Sequence, residues 1–310
     1  MEKRADRKKG KKLWLKVTLA IIALLIIGVG IFAFTIYNNA KQTVNKKMHE
    51  PVDSIDTNVT IEKIKGSKPL HILLMGTDER EGDVGRSDAM MIMTLDPKNE
   101  QMKVLSIPRD TRTEIVGKGT EDKINHAYAF GGSDMSVATV ENMFDMELDF
   151  YIRMNMEGLE SVVDTLGGIT VDNDYEWSEG EYDFPLGDVQ MDGKKTMEFV
   201  RMRKQDPEGD AGRTKRQRMV LQGIIDKGAK VESVGNINGL IDILGNNMST
   251  NMDFDDMKDL FKNYRDARKN VEEFSLEGED TKIDGVYYLL VPDEEIQAAR
   301  DRMMGVDEEE

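Results

Sequence analysis

The stretch Leu70-His71-Ile72-Leu73-Leu74-Met75 reads as a buried strand, and its neighbours set the rest of the fold. It is apolar, long enough to cross a core as a strand and too short for a helix. Two similar runs follow, Ala89–Leu95 and Met102–Ile107. Between them lies Asp96-Pro97-Lys98-Asn99, with proline at the second position of a type I turn, where its fixed φ is favourable. Three strands joined in this way predict an antiparallel meander. In an up-down-up path, the end of the first strand, the start of the second and the end of the third share one edge of the sheet.

Helical signals come later. Ser133 can cap a helix with Val137, Val140 and Phe144 on one face. Glu157–Leu166 reads as a second helix, halted by Gly167-Gly168. Arg213–Lys230 reads as a third, with Val220, Leu221, Ile224 and Ile225 turned inward, and Val286–Val291 is a last strand candidate. Strands and helices in mixed order imply a layered α/β or α+β domain.

The shared sheet edge is where charged residues gather. Asp78 follows the first strand, Asp88 opens the second, Arg109 follows the third, and Arg80 and Arg86 lie in the first loop. Two carboxylates at one edge repel unless a cation sits between them. A small set of hard oxygen ligands suits Mg²⁺, which completes its shell with water and substrate phosphates. Arg86 and Arg109 can grip phosphate oxygens with two parallel hydrogen bonds each. The plainer alternative is that these loop residues pair with one another or with water. Downstream, an extended backbone through Phe199-Val200-Arg201-Met202-Arg203 would put Arg201 and Arg203 on one face. On the helix beginning near Arg213, Gln217 is an i, i+4 neighbour whose stripe continues into Val220 or Leu221 and Ile224. Its inward face therefore starts polar and turns apolar. An unpaired buried guanidinium is costly and calls for an anion, although Asp206, Glu208 and Asp210 are near enough to pair with these arginines instead.

Other chemistries fail. The chain has no cysteine, so disulfides, thiolate nucleophiles and cysteine metal sites are excluded. His49, His71 and His126 lack metal-ligand spacing. Gly187…Gly193-Lys194-Lys195-Thr196 has one residue too many for a phosphate loop and Lys where Ser or Thr should follow.

Charge and hydropathy suggest topology. Eight Lys or Arg in residues 1–16 stand against Glu2 and Asp6, a charge of +6, so a net −17 leaves −23 on the remainder. A body this acidic is unsuited to nucleic acid, which needs basic surface to displace counterions. The 21 residues Val17–Tyr37 carry no charge and would span about 31 Å as a helix, the thickness of a bilayer core. Basic residues before the run place that end in the cytoplasm and all after Tyr37 outside. A cleaved signal peptide has a shorter apolar core of about 7–15 residues. The expected organisation is a basic cytoplasmic leader at 1–16, a transmembrane anchor at 17–37 and a stalk or first domain elements at 38–68. An extracytoplasmic catalytic domain at 69–305 and an acidic tail at 306–310 complete it.

Several motifs together resemble the LytR-CpsA-Psr family. They are Leu74-Met75-Gly76-Thr77-Asp78-Glu79-Arg80, Gly85-Arg86-Ser87-Asp88, Ile107-Pro108-Arg109-Asp110-Thr111, Lys123-Ile124-Asn125-His126-Ala127-Tyr128 and Gly131-Gly132. Val163-Asp164-Thr165-Leu166-Gly167-Gly168, Val200-Arg201-Met202-Arg203 and Gly209-Asp210-Ala211-Gly212-Arg213 with Arg216-Gln217 complete the set. Ser87 and Ala89 stand where the family often has Thr. The resemblance implies an α/β fold, a three-layer α-β-α sandwich with a mixed central sheet, preceded by one N-terminal transmembrane helix. It implies a tunnel for a polyprenyl chain with its pyrophosphate at the mouth, and transfer of an anionic glycopolymer such as teichoic acid to a peptidoglycan hydroxyl. It assigns Asp78 and Asp88 to Mg²⁺, and Arg86, Arg109, Arg201, Arg203, Arg213 and Gln217 to phosphate, with Lys123 in support. Asp88 is also a candidate base. Hydrolysis of the same carrier, regulation of envelope processes and lipid binding without catalysis stand as alternatives. The implied partners are the lipid-linked glycan, a peptidoglycan acceptor and the membrane, with no nucleic acid.

Overall fold

The computed structural model describes residues 28, 30–79, 82, 84–228 and 237–306. The leader, all of the apolar run before 30 except Gly28, Arg80 and residues 307–310 of the acidic tail lie outside the described residues. Among the described residues no helix is long and apolar enough to cross a membrane.

The meander forms as read. Strand β1 (Leu70–Thr77) pairs antiparallel with β2 (Ser87–Asp96), which pairs antiparallel with β3 (Gln101–Ser106). The turn at Asp96 is held by Lys98 N–H donating to Asp96 Oδ1 at 2.9 Å. Further strands complete a six-stranded mixed sheet. β6 (Phe150–Asn155) lies parallel to β1, β11 (Met248–Thr250) antiparallel to β6, and β12 (Asn270–Ser275) parallel to β3. The remaining strands make hairpins outside it: β4 (Arg112–Ile115) with β5 (Thr120–Lys123), β7 (Ile169–Asn173) with β10 (Gly187–Met191), β8 (Trp177–Glu179) with β9 (Tyr182–Phe184), and β13 (Glu279–Ile283) with β14 (Val286–Leu290). The strand read at Val286–Val291 thus exists, but in a hairpin at the rim. Helical residues 30–43 (α1) run into a π turn at Val44–Met48, and α2 is Thr57–Lys65. The others are α3 (His126–Phe144), α4 (Met156–Thr165), α5 (Gly193–Arg201), α6 (Asp210–Gly228), α7 (Ile237–Asn247), α8 (Phe254–Asn263) and α9 (Asp293–Met304).

β1 is apolar along its length because both faces of the sheet are covered. Leu73 and Met75 join Met90, Ile92 and Leu105 in one core, closed by Val137, Val140 and Phe144 of α3 and Ala299 and Met303 of α9. Leu70 and Ile72, one residue out of phase, face the other way onto Ile64 of α2 and Met257 and Leu260 of α8. Met91, Met102 and Val104 of that same face meet Leu221 and Ile225 of α6. The result is helix, sheet, helix. A satellite core around Trp177, Phe184 and Phe199 is built from β7–β10, α5 and α6. Val44, Met48, Val52, Ile55 and Ile64 are buried, so the chain before β1 also contributes core. The span called α3 is two helical segments joined at Gly131-Gly132, both non-helical with Gly132 at φ +64, so the segment bearing Val137, Val140 and Phe144 starts at Ser133 as read, preceded by an unforeseen short helix from His126.

Candidate functional site

The β1–β2 register pairs Gly76 with Ala89 and Thr77 with Ser87, skipping Asp88. That irregularity is a bulge, a device that re-aims a side chain at a sheet edge. Asp88 Oδ1 accepts hydrogen bonds from Arg109 Nη1 at 2.9 Å and Asn125 Nδ2 at 3.4 Å. Arg109 arrives there because β3 ends at Ser106 and Ile107 N–H still donates to Met90 O at 2.9 Å. Asp78 closes its own loop. Its Oδ1 accepts from Arg86 N at 2.6 Å while its N–H donates to Arg86 O at 3.1 Å. The loop is tight at Gly85, with φ +69, where a Cβ would lie 2.6 Å from Glu79 N. Thus the three strand ends converge as the meander requires.

Arg213 reaches the same place from the first turn of α6. It is 7% exposed and donates from Nη2 to Asp210 Oδ2 at 3.1 Å, while Arg203 Nε lies 3.6 Å from Asp210 Oδ1. Burial lowers the Arg213 pKa, Asp210 and Asp88 oppose this, and the charges of Arg109 and Arg203 push it down further. Burial would lower Arg109 too, but its Asp88 hydrogen bond and the charges of Asp88, Asp210 and Asp110 outweigh it and raise its pKa. Two guanidinium groups are therefore held in mutual repulsion. The Nε atoms of both are buried without a hydrogen-bond partner. Buried unsatisfied donors are rare in folded proteins, and these suit an incoming anion.

The other residues expected at the site are placed unequally. Lys123 Nζ donates to Asp110 Oδ1 at 2.6 Å, so it supports the carboxylate beside Arg109. Arg86 is exposed and holds the loop through its backbone. The extended backbone expected through Arg201 and Arg203 is absent. Arg201 is the last residue of α5, and Met202 leaves the helix at φ −58, ψ 133 with its side chain buried in the satellite core. Arg203 joins the cluster through Asp210, whereas Arg201 is exposed and has no ion pair or hydrogen bond from its side chain among the described residues. Gln217 lines an apolar cavity of about 200 Å³ between the sheet, α4 and α6, together with Val220, Leu221 and Ile224. The stripe that starts polar and turns apolar is therefore the cavity wall. Gly76 and Ala89 line it as well, and each is within two residues of Asp78 or Asp88. The apolar cavity thus begins where the charged cluster ends.

Asp78 and Asp88 each have one carboxylate oxygen with no hydrogen-bond or ion-pair partner among the described residues. Among those residues no group of three or more His, Cys, Asp or Glu could hold a metal by itself. That donor set fits Mg²⁺, which takes few protein ligands and draws the rest from water and phosphate.

Three contributors escaped sequence reasoning. Arg216, 3% exposed, pairs with Asp206 and donates from Nε to Phe199 O at 2.9 Å and from Nη2 to Met202 O. This buried pair fixes the loop that carries Arg203 and Asp210. The signal was available in Asp206, already a pairing candidate, but spacing does not say which arginine it takes. Asn125 stands inside a motif without a role attached. Arg153 of β6 pairs with Glu79, and its Nη2 donates to Ser249 Oγ at 2.6 Å, tying the residue after Asp78 to β11. No sequence signal marked it, because β6 itself was not read.

The LytR_cpsA_psr family profile matches residues 31–305. A polyisoprenyl-teichoic acid–peptidoglycan teichoic acid transferase TagU from Bacillus anthracis (strain CDC 684 / NRRL 3495) is 48% identical over 285 residues, 91% of this chain and 94% of that protein. Its namesake from Bacillus subtilis (strain 168) is 46% identical over 288 residues, 92% of this chain and 93% of that one. The crystal structure of B. subtilis TagU matches with a TM-score of 0.65 at 40% identity, over 78% of this chain and 98% of that chain. The structure of TagT bound to LIIa-WTA matches with a TM-score of 0.67 at 33% identity, over 77% and 91% of the two chains. This chain, from its converging strand ends to its α6 arginines, belongs to the LytR_cpsA_psr family.

Proposed function

We propose that this protein transfers a teichoic acid or similar anionic glycopolymer from a polyprenyl-pyrophosphate carrier to a peptidoglycan hydroxyl, forming a phosphodiester link. The observation that carries this reading is the junction of an apolar cavity with a cluster of guanidinium groups whose buried Nε atoms lack hydrogen-bond partners. The lining of the first suits an apolar prenyl chain and the charge of the second a pyrophosphate. The names of the relatives agree with that substrate class.

The reaction needs positioning and charge neutralisation rather than a covalent enzyme intermediate. The acceptor hydroxyl oxygen attacks the glycan-side phosphorus. The bond from that phosphorus to the bridging oxygen breaks, polyprenyl phosphate leaves, and the hydroxyl proton passes to solvent. Arg109 and Arg213 hold the phosphate oxygens as charge builds on them, with Arg86, Arg201 and Arg203 available at the rim. Lys123 keeps Asp110 fixed beside Arg109. Asp78 and Asp88 would hold Mg²⁺, which when bound withdraws charge from phosphate oxygens. Residues 17–37 would anchor the chain with the domain outside the cell, as the basic leader implies.

The test uses the full chain in vesicles with a labelled lipid-linked polymer and peptidoglycan. Label should enter peptidoglycan in step with release of polyprenyl monophosphate. Free polymer without attachment would identify a hydrolase, and no turnover of the carrier would refute the proposal.

A further inference from the structure

A second space adjoins the arginine cluster, away from the apolar cavity. It is a groove of about 960 Å³ between the loop from Arg203 to Gly209, with the start of α6, and the β13–β14 hairpin. Asp110, Arg203 and Asp210 belong both to its lining and to the charged cluster. The hairpin is fastened to the site: Leu289 N–H donates to Asp110 O at 2.9 Å, and Thr111 bridges to Leu289. Tyr287 lies on this wall, its ring centroid 5.6 Å from Lys123 Nζ and its hydroxyl donating to Asp280 Oδ1 at 2.6 Å.

The lining carries six carboxylates, of which Asp110, Asp206 and Asp210 are neutralised by Lys123, Arg216 and the Arg213–Arg203 pair, leaving Glu208, Glu277 and Asp280 against Lys204. That balance repels a polyanion, so the groove does not suit the glycopolymer being transferred. It suits a chain rich in neutral hydroxyls. Carboxylates accept strong hydrogen bonds from hydroxyls, and an aromatic face gives a sugar ring a flat apolar contact. Among the two glycans the proposed reaction needs, only the acceptor is neutral along its sugar backbone.

On the reading of function above, we infer that this groove binds the acceptor glycan strand, with the Tyr287 ring as its stacking platform and the acidic rim excluding the donor polymer. Tyr287 is a specificity residue here. Burial, then the neighbouring carboxylate of Asp280 and the charges of Asp110 and Asp210, raise its pKa, so the phenol stays neutral at physiological pH.

The experiment varies a soluble, uncrosslinked peptidoglycan glycan strand at saturating lipid-linked donor, using the full chain in vesicles. Tyr287→Ala should raise the acceptor KM about tenfold and leave the donor KM unchanged. Tyr287→Phe, which keeps the ring, should stay within about threefold of the parent. Glu208 and Glu277 are exposed, so Glu208→Lys with Glu277→Lys leaves the core alone. That variant should raise the acceptor KM and make free teichoic acid polymer a competitive inhibitor against the acceptor. Equilibrium binding of the glycan strand to parent and variants reads the groove without turnover. Glycan binding or acceptor KM unmoved in both variants, or a change in donor KM instead, would overturn the inference. Parent protein that binds glycan strands in the groove but does not process the carrier would sink the proposed function while leaving the groove standing.

Discussion

Gly212→Ala tests whether the buried Arg216–Asp206 pair holds the site together. A Cβ at Gly212 would lie 2.0 Å from Asp206 Oδ2 and 2.3 Å from its Cγ. The carboxylate has nowhere to go. Its side chain is 1% exposed, it is bound to Arg216 Nη1, and its Oδ1 accepts from Glu208 N at 2.7 Å. Relief of the clash must break the pair, and uncoupling a buried ion pair costs about 3–5 kcal/mol. Alanine recovers about 1 kcal/mol of helix propensity over glycine. Arg216 also retains Phe199 O and Tyr175 OH as acceptors, which favours the lower end of the range. The expected net destabilisation is about 2–4 kcal/mol, read as a shift in denaturant unfolding midpoint at unchanged slope. Transfer should fall with it, because Arg203 and Asp210 sit on the loop the pair secures. In an Asp206→Ala background the same glycine substitution should cost nothing, or stabilise by up to about 1 kcal/mol, since the obstacle is gone. Stability of the single variant within about 0.5 kcal/mol of the parent, or additive effects in the double variant, would refute the reasoning.

Arg109→Lys and Arg213→Lys should each reduce transfer about tenfold to a hundredfold with the fold intact, because Lys supplies charge without the two-pronged geometry; full activity in the double variant would remove the bidentate reading. His71 should govern part of the acid sensitivity. Burial first, and the Lys63 charge second, lower its pKa to about 4 from the usual 6.5. The unfolded chain therefore takes up a proton before the native one does, so stability is complete above about pH 6.5 and drains as pH falls towards 4. Unfolding free energies at pH 7 and 4.5 should differ by about 2–3 kcal/mol from this group, and His71→Gln should flatten that part of the decline. Calorimetry should show weak Mg²⁺ binding to the protein alone and clearly tighter binding with a polyprenyl pyrophosphate present, a gain lost in Asp78→Ala and Asp88→Ala. Undiminished transfer under a strong chelator would mean that the two carboxylates serve another purpose.

Much of this architecture was written locally. β1, β2 and β3 announced themselves as apolar runs with a proline turn between two of them, and their ends had to meet. That alone brought Asp78, Asp88 and Arg109 together. The polar-to-apolar stripe from Arg213 through Gln217 to Ile224 likewise needed only helical periodicity to place a charged group at one end of an apolar wall. Among the strands that were missed, β7 and β10 do alternate apolar and polar residues, whereas the two that complete the sheet edges lack any such signal. β12 is Asn-Val-Glu-Glu-Phe-Ser, an edge strand whose solvated positions dilute the pattern, and β11 is three residues long. Both exist because β3 and β6 offer them unpaired backbone, a reason absent from their own residues.

The sequence by itself determined the sheet's central meander, the family and the polarity gradient of α6, because each rests on residue types and their spacing along the chain. Tertiary structure alone decided which charges pair. Asp206 took Arg216 and not Arg213, since Arg216 points into the satellite core, where an unpaired guanidinium would be too costly. Asp210 was left to Arg213 and Arg203, and the Nε atoms of Arg109 and Arg213 were left without hydrogen-bond partners. Spacing cannot rank such pairings, because their free energies turn on burial, and burial is settled only when elements distant in sequence close over the charges.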